Sequence, residues 1–272
     1  LIFTPVLPSE NRIIRTYTEF QGEGTEFHGE KSISLQLTLL FFILPYRKIV
    51  MTDIASNISS LKKEIPANVM LVAVSKTITT DDILKAYHTG HRIFGENRVK
   101  ELTEKGELLP TDIEWHFIGH LQSNKVKYIV PFVAMIQSVD TYKLLKIINN
   151  EASKNNKVID CLLQFHIARE ETKFGFSMDE VKEMMGSEEF RLLDNIRLCG
   201  VMGMATFTDN HEQVREEFRC LYGYFNELKT RYFHDQSSFS EISMGMSGDY
   251  RIAIKEGSTM IRIGSIIFGE RM

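Results

Sequence analysis

The sequence predicts an α/β protein built as a single (β/α)8 barrel of the TIM type, and three observations lead there. Short apolar runs alternate with helix-patterned stretches from Met51 onward. Eight such strand-and-helix units can be read in succession. No GxGxxG follows the first run, which removes the usual mark of an open dinucleotide-binding sheet. Strict alternation of strand and helix implies parallel pairing, and eight units favour closure. Strands of this kind are buried on both faces and read as continuous apolar runs.

The elements follow in order. Thr52-Asp53 opens a helical stretch that ends near Ile65-Pro66. The first strand is 69–75, VMLVAVS, followed by 91–94, 114–118, 134–139, 159–167, 198–204, 239–244 and 259–263. Helical patterns occupy 81–88, 96–106, 122–130, 141–150, 178–190, 211–233 and 249–256. The span 51–272 is a little short of the roughly 250 residues typical of such barrels.

Residues 1–50 show no sustained period and are expected to be a non-native or disordered extension, with Met51 as the natural start and 51–272 as the domain. Their segment NRIIRTYTEFQGEGTEFHGEKSISLQL resembles the opening of radical-SAM 7-carboxy-7-deazaguanine synthases, which carry a QGEG turn. That family's cluster-binding cysteines do not follow, since the first cysteine is Cys161, and an iron–sulfur cluster needs thiolates.

Composition narrows the classes further. Hydrophobic residues at 43% and charged residues at 25% suit a soluble globular domain. A net charge of −4 offers no basic footprint for nucleic acid. Cys161, Cys199 and Cys220 form no CxxC pair, so neither a metal site nor a disulfide framework is expected. The run LTLLFFIL at 37–44 is far shorter than the about 20 residues that cross a bilayer. Some thirty mixed residues precede it, unlike a signal peptide. The expected location is cytoplasmic, with no membrane partner.

In such barrels the reacting groups sit where strands run into the following loops. Lys76 closes the apolar run LVAVS. At that rim, desolvation lowers an amine's pKa and favours the neutral form that condenses with an aldehyde. The plainer alternative is a lysine snorkelling into solvent. The segments after strands seven and eight read MGMSGD and RIGSIIFG, where this fold commonly builds a phosphate site. Glycines there let N–H groups approach an anion, Ser247 and Ser265 offer hydroxyls, and Asp249 begins a helix. Each alone is an ordinary turn. Together with Lys76 they point to a Schiff-base lysine beside a phosphate cup. Arg262, two residues before Gly264, either faces the ligand ring or forms a structural ion pair with Asp249 or Glu256.

VAVSKT (72–77), FGENRVKE (94–101), WHFIGHLQSNKVK (115–127), SMGMSGD (243–249) and EGSTMIRIGSIIFGER (256–271) resemble the pyridoxal phosphate homeostasis protein family, also called YggS/PROSC. The resemblance runs from about Leu71 to Met272. It implies a barrel of the alanine racemase type (fold type III) carrying pyridoxal 5′-phosphate on the first-strand lysine, here Lys76. It also implies a role in holding, buffering or delivering the cofactor, with no catalytic residues. Alanine racemases place a phosphate-binding serine fifteen residues before the arginine of an RxG segment, the interval from Ser247 to Arg262. By that likeness Arg262 meets the pyridine nitrogen, Gly264 and Ser265 meet the phosphate, and Asn97 and Met204 touch the ring or its hydroxyl. Trp115, His116 and His120 are assigned to packing and loop positioning. His166 departs from the family, which commonly has asparagine there; it either packs harmlessly or alters the pocket edge.

Other functions compete. A racemase would need a second base, which alanine racemases take from a C-terminal β domain. The sequence ends eight residues after Gly264, so that domain, and the dimer it makes, are not expected, and a monomer is. A Schiff-base aldolase would use lysine and a phosphate site without a bound chromophore. A protein-interaction barrel would need an exposed apolar stripe, and none is evident. Apo forms of enzymes that use the cofactor are the expected recipients.

Overall fold

A computed structural model describes residues 53–169 and 174–270. The expectation for residues 1–50 lies outside the described residues.

Eight parallel strands close into a barrel in chain order. They are β1 (Met70–Val74), β2 (Ile93–Glu96), β3 (Glu114–Phe117), β4 (Val133–Val139), β5 (Ile159–Gln164), β6 (Ile196–Met202), β7 (Glu241–Ser243) and β8 (Met260–Ile263). Closure is made by β1 against β8, which pair from Met70 with Met260 to Ala73 with Ile263. Alternate residues divide between two surfaces, as strand geometry requires. Val72, Met135, Leu162, Cys199, Met202 and Met260 fill the interior. Ala73, Phe117, Ile136, Leu163 and Ile261 join the larger cluster beneath the helices.

The surrounding helices are α1 (Ile54–Glu64), α2 (Thr80–His88), α3 (Val99–Leu108), α4 (Val126–Ile129), α5 (Tyr142–Lys154), α6 (Met178–Gly186), α7 (His211–Tyr232), α8 (Tyr250–Lys255) and α9 (Ser265–Phe268). Several begin on a side chain that satisfies an open N–H. Asp53, Thr79, Thr141 and Asn210 accept from the third residue onward, and Ser177 with Glu180 makes a reciprocal capping box. No described helix is long and apolar enough to cross a membrane.

All eight expected strands are present, with corrected ends. The fifth stops at Gln164 rather than reaching 167: Phe165 still donates to the Met202 carbonyl, but its own bridge is to Phe176 instead of a further β6 residue. The helix expected over 122–130 begins as a 3-10 turn, Ser123–Lys125. The one expected over 178–190 ends at Gly186, and a separate 3-10 turn spans Glu189–Leu192.

Candidate functional site

Lys76, Asn97, Met204, Ser247, Arg262, Gly264 and Ser265 line one cavity of about 690 Å³ at the C-terminal ends of the strands. Lys76 stands just past β1, Asn97 follows β2, and Met204 follows β6. Ser247 comes from the turn between β7 and α8, Arg262 from β8, and Ser265 opens α9. Val74, Ile118, Gln164, Phe174 and Met246 complete much of the wall.

Arg262 is the one charged side chain buried in the barrel interior, among the described residues. Burial lowers its guanidinium pKa to about 10, still far above neutrality. Of the two ion-pair partners considered from the sequence, Glu256 is held by Arg215 and Arg219, whereas the charge of Asp249 acts on Arg262 and favours its protonated form. Arg262 instead donates through Nη1 to Ser243 Oγ and through Nη2 to the Gly203 carbonyl at 3.0 Å. A guanidinium has no acceptor, so each later bond takes its direction from it. Ser243 Oγ donates to Gln137 Oε1 at 2.7 Å, and Gln137 Nε2 donates to His116 Nδ1 at 2.8 Å. His116 ends the chain as a neutral acceptor, its pKa pushed down to about 4 by burial. Nε of Arg262 makes no hydrogen bond to the described residues, and it belongs to a side chain that lines the cavity.

One side of the cavity is assembled from two turns. The Gly264 N–H donates to Ser247 Oγ at 3.4 Å, joining the turn after β7 to the one after β8. The Ser265 and Ile266 N–H groups at the start of α9 have no acceptor within the helix, whereas those of Ile267 and Phe268 donate to the Gly264 carbonyl. Gly245 permits the tight exit from β7: its φ is 97°, and a Cβ there would lie 2.6 Å from Ala253 Cβ. Gly119 plays a similar part beyond β3, where a Cβ would meet the Asn97 carbonyl at 2.5 Å. That close approach fixes Asn97, whose Oδ1 is buried without a hydrogen-bond partner.

His120 lines the cavity in addition to shaping its loop. Its Nδ1 lies 2.8 Å from buried Asp140 Oδ2, and its ring stacks on Phe174 with centroids 4.0 Å apart. His166 is exposed and stands outside the cavity lining. Sequence reading did not single out Ser243 or Gln137. The signal was a polar residue at an inward-facing position of an otherwise apolar strand. Among the described residues no cluster suits a metal ion.

Comparison with known proteins adds an independent line. A family model described as the alanine racemase N-terminal domain matches residues 49–272. A pyridoxal phosphate homeostasis protein of Aquifex aeolicus is 41% identical over 74% of this chain and 86% of its own length. One of Synechocystis is 39% identical over 79% of this chain and 97% of its own. PipY of Synechococcus elongatus PCC7942, solved with PLP bound, superposes with a TM-score of 0.73 at 32% identity, covering 79% of this chain and all of that one.

Proposed function

This chain belongs to the pyridoxal phosphate homeostasis protein family, and from that premise we propose that it binds pyridoxal 5′-phosphate, holds it as a Schiff base on Lys76, and buffers or delivers it in the cytoplasm. The carrying observation is the convergence of an amine, a hydroxyl- and amide-lined cup and a buried guanidinium on one cavity. The residues fit the cofactor. Its volume is in the range of small-molecule pockets, and the orphaned Asn97 Oδ1 is an acceptor that a ring hydroxyl would satisfy. Residues 51–272 make up the binding domain in this reading.

When bound, the cofactor supplies an aldehyde and a conjugated ring that withdraws electrons. Lys76 is the amine that would condense with that aldehyde, the carbonyl oxygen leaving as water with both amine protons. Ser247, Gly264 and Ser265 hold the phosphate through charge-assisted hydrogen bonds, a contribution independent of the imine. Arg262 presents Nε to the ring nitrogen, and Met204 packs on the ring. The protein acts as a monomer, and apo enzymes that require the cofactor are its recipients.

Borohydride reduction of the purified protein, followed by peptide mass spectrometry, tests the assignment. The adduct is expected on Lys76; an adduct on Lys125, or none with cofactor present, overturns it. Lys76→Ala is expected to retain weaker, imine-free binding through the cup.

A further inference from the structure

We propose that a charged clamp of buried Glu96 and Lys105 with partly buried Glu101 fixes the backbone on both sides of Lys76 and thereby sets how readily its amine reaches the cofactor aldehyde. The inference rests on the reading above, in which Lys76 carries the imine.

Lys76 lies between two peptide groups, and each is gripped by a charge. The Ser75 carbonyl, in the preceding peptide, accepts from Lys105 Nζ at 2.8 Å. The Thr77 N–H, in the following one, donates to Glu101 Oε2 at 2.6 Å. Lys105 ties the two grips together, with Nζ 2.8 Å from Glu96 Oε1 and 3.2 Å from Glu101 Oε2. Ser75 Oγ closes the network by donating to Glu96 Oε1 at 2.6 Å. Glu96 ends β2, while Glu101 and Lys105 stand one turn apart on α3. Thus the neighbouring strand and helix both hold the segment that bears Lys76.

Two features of the clamp oppose stability, which directs attention to position. Thr77 has φ 63°, a left-handed conformation disfavoured for a β-branched residue. Glu96 is fully buried, and its Oε2 has no partner. Burial is the main influence on that carboxyl and raises its pKa, ahead of the opposing Lys105 contact. Replacing buried charges by apolar side chains is often neutral or stabilising, so their presence is weak evidence for a structural purpose. Strained backbone persists where its surroundings hold it, and such sites cluster around function. Attack on the aldehyde needs Nζ at the carbonyl carbon, and a displacement of about 1 Å costs on the order of 10²-fold in rate.

The test uses the full chain as wild type, Glu101→Ala, Glu101→Gln and Lys76→Ala. Cofactor binding is read by equilibrium dialysis, imine formation by stopped-flow visible absorbance, and attachment by borohydride trapping. Glu101→Ala is expected to keep cup-mediated binding while imine formation slows roughly tenfold or more. Glu101→Gln, whose amide oxygen still accepts the Thr77 N–H, is expected to recover most of the rate. Imine formation at the wild-type rate in Glu101→Ala overturns the clamp and leaves the carrier reading intact. A wild-type protein that binds no cofactor, or attaches it elsewhere, overturns the reading itself. Should Glu101→Ala fail to fold, Thr77→Gly/Glu101→Ala removes the strain by supplying a residue at ease with positive φ. Unslowed imine formation in that double variant then overturns the clamp.

Discussion

A guanidinium can only donate, and at the scale of single residues this one-sidedness travels through the barrel. Arg262 orders Ser243, Ser243 orders Gln137, and Gln137 leaves His116 a neutral acceptor at Nδ1. Protonating His116 would break the last link and place a charge in the interior, so burial holds its pKa near 4 against the usual 6.5. His91, buried beside the Ile93 carbonyl, is lowered to about 4 as well, chiefly by burial. Unfolded, both rings bind protons below about 6.5; folded, they do so only below about 4. The stability they contribute is therefore present above pH 6.5 and lost as the pH falls toward 4. Urea unfolding at stepped pH should show it, with at most roughly 3 kcal/mol per histidine. His116→Asn should flatten part of the slope. A constant unfolding free energy from pH 6.5 to 4.5 would contradict the assignment. Arg262 itself was legible, because an arginine before a Gly-Ser turn on a barrel strand already suggests a ligand. Ser243 and Gln137 were not, because their meaning depends on which strand stands across the barrel.

Elements carry the next level of control, and the turns that leave β7 and β8 show it. Gly245 adopts φ 97° against Ala253, so an added methyl group there meets both strain and collision. Gly245→Ala should destabilise the protein by about 2–4 kcal/mol and weaken cofactor binding, because it displaces the turn that carries Ser247. Gly223→Ala is the informative comparison. Gly223 lies within α7 with open space around its Cα, so the change should stabilise by about 0.5–1 kcal/mol. Thermal melts and dialysis of both variants check the pair, and a neutral Gly245→Ala would refute the argument. The strands themselves were legible because burial on both faces makes each a continuous apolar run, as in Leu71 to Val74. Their ends were less so. Phe165 extends the apolar pattern of β5, yet it pairs with Phe176, a partner no local pattern announces. The clamp around Lys76 was hidden for the same reason: nothing local in FGENRVKE and the following helix says that Glu96, Glu101 and Lys105 meet the segment of Lys76 until β1 is placed beside β2.

Taken as a whole, the closed barrel gathers every strand's C-terminal end on one rim, and so gathers an amine, two serine hydroxyls and a guanidinium around one cavity. What that assembly does depends on the charge opposite the ring nitrogen. Enzymes that need a strong electron sink usually set a carboxylate there, whereas Arg262, which the proposed binding mode sets against the ring nitrogen, cannot accept a proton and its charge would oppose one on the ring. An unprotonated ring withdraws electrons more weakly, and turnover then requires matched bases on either side of the substrate. The molecule is therefore expected to hold its cofactor without consuming substrates. Incubating the loaded protein with L-alanine and L-serine should yield no D-isomers, keto acids or amines above background. Its cofactor should pass instead to an apo enzyme, measured as recovered activity of that recipient. Robust turnover that disappears in Lys76→Ala would reverse the conclusion and make the barrel a catalyst. Arg262→Glu separates the two terms: a carboxylate there would favour a protonated ring, so any gain in amino-acid turnover would locate the quiescence in the guanidinium. Unchanged quiescence, with binding retained, would show that the guanidinium alone does not set it.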